Sequence, residues 1–221
     1  MRVKICGLQD EATALAAAAA GADFLGFVFA PSRRRVTPER ARSAIAAVRS
    51  RAGALAPRMV GVFVDECPLL VADVAAYCGL DYVQLCGDES PSYLRRLGVP
   101  VLLARPTRGE ATLAALAPYR DLATLFLLDA STPGARGGTG RLCDWATASL
   151  VARHFPVLLA GGLTPANVAD AIAAVRPAGV DVSSGVETDG RKDPDKIAAF
   201  VAEAKRIGLA IDAKPKEIGQ C

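Results

Sequence analysis

The amino-acid sequence predicts an α/β chain folded as a single-domain (β/α)8 barrel, and three observations lead there. Short apolar runs alternate with Ala-rich helical runs eight times along 221 residues. The apolar runs lack the in/out alternation of a one-sided sheet, as expected of parallel strands covered by helices. No linker divides the chain, and eight strand-helix units of this size suit one compact barrel. A doubly wound sheet shares the alternation and stays as the alternative, because periodicity does not decide whether the first strand closes on the eighth.

The elements follow in order. Val3 to Cys6 is a short, mostly apolar strand before an Ala-rich helix over 9–20; Asp23 to Phe29 precedes a helix over 38–50, and Met59 to Val64 one over 67–78. Tyr82-Val83-Gln84-Leu85 leads to a helix over 90–97, Val101-Leu102-Leu103 to one over 110–117, and Leu125-Phe126-Leu127-Leu128 to one over 143–153. Val157-Leu158-Leu159 precedes a helix opened by Thr164 as N-cap and Pro165 in its first turn. Val180-Asp181-Val182 leads to the last helix, over 195–207. The barrel is assigned to 1–208, and the more polar 209–221 to a C-terminal tail, mobile or lightly packed.

Composition narrows the partners. A net charge of +3 is too small to imply nucleic acid, and the densest basic run, Arg33-Arg34-Arg35, has no interleaved aromatic platforms. A small anion or a solvated loop explains it better. Cysteines at 6, 67, 78, 86, 143 and 221 have no compact repeated spacing, Met1-Arg2-Val3-Lys4 runs straight into a strand, and no apolar run is long enough to span a membrane. The expectation is a reduced cytoplasmic protein, with neither nucleic-acid nor membrane partners. His154 has no local His or Cys ligand set, so no metal is expected.

Barrel geometry gives particular residues a direction. Lys4 and Cys6 share a strand face, so an inward Cys6 puts Lys4 deeper on the same side, where it needs a counterion. Asp181 supplies one if strands one and eight pair. Cys6 is then either a reactive thiol at the barrel mouth or a small core residue. Asp129, ending strand six, is a helix cap, a cation ligand or a catalytic acid. Gly161-Gly162 after strand seven and Ser183-Ser184-Gly185 after strand eight suit a phosphate held by backbone amides, with tight turns as the alternative. Gly137-Gly138-Thr139-Gly140 lacks the P-loop lysine and reads as a cover or packing turn.

Taken together, Val3-Lys4-Ile5-Cys6-Gly7-Leu8, Gly26-Phe27-Val28-Phe29, Val60-Gly61-Val62-Phe63, Gly137-Gly138-Thr139-Gly140, Leu159-Ala160-Gly161-Gly162-Leu163 and Asp181-Val182-Ser183-Ser184-Gly185-Val186-Glu187 strongly resemble phosphoribosylanthranilate isomerase, in order from residue 2 to about 205. The resemblance implies a single-domain barrel of tryptophan biosynthesis. It implies Cys6 as general base, Asp129 as general acid, and an Amadori rearrangement of N-(5-phosphoribosyl)anthranilate needing no cofactor. It assigns the anthranilate carboxylate to Arg34, with Arg35 the alternative one step on, and the phosphate to Gly162, Ser183, Ser184 and Gly185. A monomer is preferred, with a homodimer as the alternative. Another sugar-phosphate isomerase and a silent phosphate-binding barrel are the rival readings.

Two positions depart from the family pattern. Gln84-Leu85-Cys86-Gly87 has Cys86 where the family commonly has histidine, which is expected to be tolerated structurally rather than to create a new catalytic group. Cys143 stands where an aromatic is frequent. Trp145 nearby is expected to pack the sixth helix rather than cover the substrate, and Gln84 and Asp181 are expected to organise the interior by hydrogen bonding.

Overall fold

The computed structural model of the chain describes residues 1–130 and 143–212. Eight parallel strands close in chain order into a barrel: β1 (Arg2–Cys6), β2 (Phe24–Val28), β3 (Arg58–Phe63), β4 (Tyr82–Leu85), β5 (Val101–Pro106), β6 (Leu125–Asp129), β7 (Val157–Leu159) and β8 (Gly179–Val182). Closure comes from β1 pairing with β8, Lys4 opposite Asp181. That settles the choice against a doubly wound sheet. Around the strands lie α1 (Glu11–Ala19), α2 (Pro38–Ala52), α3 (Pro68–Cys78), α4 (Pro91–Leu94), α5 (Ala111–Leu116), α6 (Trp145–Ala152), α7 (Val168–Val175) and α8 (Pro194–Asp212).

The two-residue strand period sorts side chains into two cores. Phe24, Val60, Leu102, Ala104, Leu125, Leu127, Leu158 and Ala160 fill the barrel interior. Their neighbours of opposite parity, such as Val3, Ile5, Leu103, Phe126 and Val180, pack outward under the helices. Helix starts carry local signals: the side chains of Asp10, Thr37 and Asp144 accept amide hydrogen bonds from the first turns of α1, α2 and α6. Trp145 opens α6 and packs against the outer core.

Three boundaries differ from the sequence expectation. The fourth helix is a single turn, Pro91–Leu94. Thr164 and Pro165 open a turn and not the helix: the amides of Asn167 and Val168 both donate to the Thr164 carbonyl, and α7 begins at Val168. At the other end α8 continues through Asp212, beyond the expected end of the barrel at 208. Ile207 and Ile211, one helical turn apart, both pack on the core and extend the apolar face. The rest of the expected tail and the Gly137–Gly140 segment lie outside the described residues. Among the described residues no helix is long and apolar enough to cross a membrane.

Inside the seam Lys4 is fully buried and donates to Asp181 Oδ1 at 2.8 Å. Asp181→Ala leaves a buried ammonium unpaired and is expected to cost about 3–5 kcal/mol, whereas Lys4→Met with Asp181→Leu should recover most of it. Urea unfolding checks this; a loss below about 1 kcal/mol for the single change would show a solvated pair.

Candidate active site

The C-terminal mouth of the barrel is built outward from β1. Lys4 and Cys6 point inward, and Cys6 is 8% exposed. On β2 the residue level with Cys6 is Gly26. A Cβ there would stand 3.0 Å from Cys6 Sγ and 3.1 Å from Lys4 Nζ, so the missing side chain is what lets thiol and ammonium share that space. Burial works against the Lys4 charge, but Asp181 and the Cys6 sulfur more than offset it and raise the lysine above its ordinary range. Lys4 is therefore a permanent cation beneath the thiol.

After Cys6 the chain turns at Gly7, whose φ of 78° is a left-handed conformation. The position has a second constraint. A Cβ on Gly7 would meet Arg34 Cδ at 2.5 Å and Ser183 Oγ at 3.2 Å. The aliphatic stem of Arg34 thus lies across the loop that follows Cys6. Arg34 is buried while Arg35 is exposed. The guanidinium is engaged side-on by Glu187, Nε to Oε1 at 2.6 Å and Nη2 to Oε2 at 3.0 Å.

Three strands away around the ring, Asp129 ends β6. It is half-buried, and its Oδ1 accepts the amide of Ala130 at 2.7 Å. Gly161 (φ 82°) passes so close that a Cβ would lie 2.8 Å from Asp129 Oδ1. The glycine after β7 therefore makes room for the carboxylate. Nearby, the Cys143 thiol is pushed up to about 12, chiefly by burial and further by the Asp129 charge, against an opposing hydrogen bond to Thr107. Cys86 is likewise pushed up to about 12, by burial and by Cys6, although Gln84 Nε2 donates to its sulfur at 3.2 Å. Both stay neutral thiols near pH 7, in keeping with a structural rather than catalytic Cys86.

The loops expected to hold phosphate meet between β7 and β8. Gly161 and Gly162 are both left-handed, at φ 82° and 65°. Asn167 staples their loop, donating to the Gly162 carbonyl at 3.0 Å and accepting from the Thr164 amide at 2.8 Å. Ser184–Val186 form a 3-10 turn, and a Cβ on Gly185 would collide with the Leu163 carbonyl. Gly185 thus lets the two loops interlock. The Ser183 hydroxyl donates to the Cys6 carbonyl at 3.0 Å and accepts from Lys192 Nζ at 3.3 Å. Among the described residues no group of three or more His, Cys, Asp or Glu converges as a metal site would.

Sequence reasoning missed Lys192 and the role of Glu187. Glu187–Thr188 (β9) and Arg191–Lys192 (β10) form a small antiparallel hairpin in which Lys192 stands opposite Glu187. Its turn is Asp189-Gly190, both at positive φ, 50° and 77°. An Asp-Gly pair between short runs is the standard two-residue hairpin signal, so the evidence was present in the sequence. Lys192 Nζ donates to Glu187 Oε1 and to the Ser183 carbonyl, each at 2.8 Å. Burial would raise the Glu187 carboxyl, but hydrogen bonds and charge from Arg34 and Lys192 win and hold it down to about 2.

The fold is a (β/α)8 barrel whose C-terminal mouth carries a thiol over a buried ammonium on β1, a strand-ending carboxylate on β6 and a buried arginine after β2. The profile of the family described as N-(5'phosphoribosyl)anthranilate (PRA) isomerase matches residues 3–203, and the chain belongs to that family. The N-(5'-phosphoribosyl)anthranilate isomerase of Desulforudis audaxviator (strain MP104C) is 49% identical over 206 residues, covering 92% of this chain and 97% of the relative. Phosphoribosyl anthranilate isomerase from Thermotoga maritima superposes with a TM-score of 0.82 at 39% identity, over 93% of this chain and 99% of that one. A phosphoribosyl anthranilate isomerase crystallised in complex with reduced 1-(o-carboxyphenylamino)-1-deoxyribulose 5-phosphate superposes at 0.79, with 38% identity over 93% of this chain and 99% of that one.

The depressed Glu187 carboxyl carries a pH signature. A carboxylate held at about 2 against an ordinary 4.5 contributes stability that is complete above pH 4.5 and is lost as pH falls toward 2. Glu187→Gln is expected to flatten the fall in unfolding free energy across that window. Equal slopes for the two proteins in acid urea titrations would contradict the assignment.

Proposed function

We propose that this chain catalyses the Amadori rearrangement of N-(5-phosphoribosyl)anthranilate to 1-(2-carboxyphenylamino)-1-deoxyribulose 5-phosphate in tryptophan biosynthesis, in the cytoplasm. The observation that carries the reading is the placement of Cys6 and Asp129 on separate walls of one mouth, in a chain that belongs to this family.

The proposed steps use those two positions. Asp129 donates a proton to the ribose ring oxygen as the C1–O bond breaks, and the nitrogen lone pair closes a Schiff-base cation at C1. Cys6, as thiolate, removes the C2 proton. The C–H electron pair forms a C1–C2 double bond and the C=N π pair returns to nitrogen, giving an enolamine that tautomerises to the amino ketone. The substrate nitrogen is the electron sink, so neither metal nor organic cofactor enters this scheme. Lys4, held cationic beside Cys6, supplies the charge partner a thiolate needs in a buried site.

Binding groups divide between the two ends of the substrate. The amides of Gly162, Ser184 and Gly185 hold the phosphate, and Ser183 fixes their loop to Cys6 through its hydroxyl. Arg34 receives the anthranilate carboxylate through the part of its guanidinium that Glu187 leaves free. Anchoring both non-reacting ends holds C1 and C2 between acid and base and reduces the positional cost of reaction.

Cys6→Ser and Asp129→Asn are each expected to lower kcat by about 10²–10⁴-fold, the usual worth of a positioned acid or base. Coupled assays on purified protein, with unfolding curves to show intact folds, check this. Folded variants that keep wild-type kcat/KM would sink the mechanism, and turnover of a different sugar phosphate instead would replace the substrate. Gly162→Val is expected to raise KM by tenfold or more, about 1.4 kcal/mol, because a branched residue resists a left-handed φ and crowds the phosphate.

A further inference from the structure

Three cations meet one carboxylate at the edge of the mouth. Glu187, its side chain 5% exposed, takes Arg34 Nε and Nη2, Lys192 Nζ at 2.8 Å and Arg33 Nη2 at 2.5 Å. All four hydrogen-bonding directions of the carboxylate are used, two per oxygen. The cluster keeps an excess of two positive charges, which favours a further anion at its open edge.

The pairing also decides which edge of Arg34 is offered. A guanidinium presents a side edge, Nε with Nη2, and an end edge, Nη1 with Nη2. Glu187 occupies the side edge, and Nη1 has no partner among the described residues. The stem is pinned over Gly7, where a Cβ would lie 2.5 Å from Arg34 Cδ. A second acid is thereby confined to the end edge, beside the loop that follows Cys6. Lys192 extends the restraint, because it also binds the Ser183 carbonyl and hydroxyl, and Ser183 binds the Cys6 carbonyl. One connected set of hydrogen bonds therefore spans Arg34, the loop proposed for phosphate and the backbone of Cys6.

We propose that Glu187, fixed by Lys192 across the β9–β10 hairpin, is a specificity-determining positioning residue that aims the end edge of Arg34 at the aryl carboxylate of the substrate. The proposal rests on the anthranilate reading above. Its chemical consequence is discrimination by the aryl carboxylate: an N-phosphoribosyl arylamine lacking that group leaves the oriented edge and the excess positive charge unpaired.

The test compares kcat/KM for N-(5-phosphoribosyl)anthranilate and for N-(5-phosphoribosyl)aniline, which differ only in the carboxylate. Wild type should prefer the anthranilate compound by at least tenfold, corresponding to about 1.4 kcal/mol. In Glu187→Gln that ratio should fall severalfold, with the loss in KM for the anthranilate compound rather than in kcat. Glu187→Asp keeps the charge but shortens the reach and should lower the ratio in the same direction, which covers a folding defect in the amide variant. Lys192→Met should lower the ratio and Lys192→Arg restore part of it. Equal losses on both substrates in folded variants would reduce Glu187 to a structural residue and overturn the proposal. Absence of wild-type turnover with either compound would instead remove the functional reading itself, so the two failures are distinguishable.

Discussion

The pairing of β1 with β8 is the contact on which the rest depends. It places Lys4 against Asp181 below and the Cys6 carbonyl against the Ser183 hydroxyl above. The lower contact satisfies a charge that would be expensive to bury alone. The upper one ties the proposed base to the loop proposed for phosphate. A seam held only by backbone hydrogen bonds would close the barrel just as well. The side-chain pairs across it give the closure a fixed alignment at the mouth.

Glycines decide how close the functional groups come. Gly26 leaves the space in which Cys6 Sγ and Lys4 Nζ stand together, and Gly161 leaves the space for the Asp129 carboxylate. The neighbouring strand in the first case, and the loop after a neighbouring strand in the second, contributes by what it lacks, because a single Cβ would crowd a polar group. Two walls of the mouth are thus shaped by the same device.

The eight strand-helix units were readable in the sequence, and the Lys4–Asp181 pair was readable on condition that the barrel closes, because an inward lysine in an apolar run demands a counterion from an adjoining strand. Asp129 and Cys6 were readable as strand-ending groups whose convergence needs only closure. Arg34 against Arg35 was not decided by spacing, since neighbouring residues in an irregular loop have no fixed parity. In the fold Arg34 is the buried one, packed over Gly7. The α7 start was misplaced because Thr-Pro opens turns as readily as helices, and Asn167 takes the Thr164 amide by its side chain. Lys192 went unread although Asp189-Gly190 marks its hairpin: a strand pair of two residues each lies below the length at which periodicity registers.

Three described cations share one side of the mouth, and their place there suits the proposed division of labour. Lys4, Arg34 and Lys192 lie on the β1, β2 and β8 side, the side that carries Cys6 and the loop proposed for phosphate. Cations stabilise a thiolate, a carboxylate and a phosphate alike, and they oppose a carboxylic acid that must keep its proton. An acid on β8 or β2 would therefore be stripped by the same groups that serve the base. In the proposed reaction the acid, Asp129, is carried on β6, three strands round the ring from Cys6 on β1. Burial holds the Cys86 and Cys143 thiols neutral near pH 7, so neither adds a second base. The separation of the proposed acid from the proposed base is thus a property of where the ring places its strands.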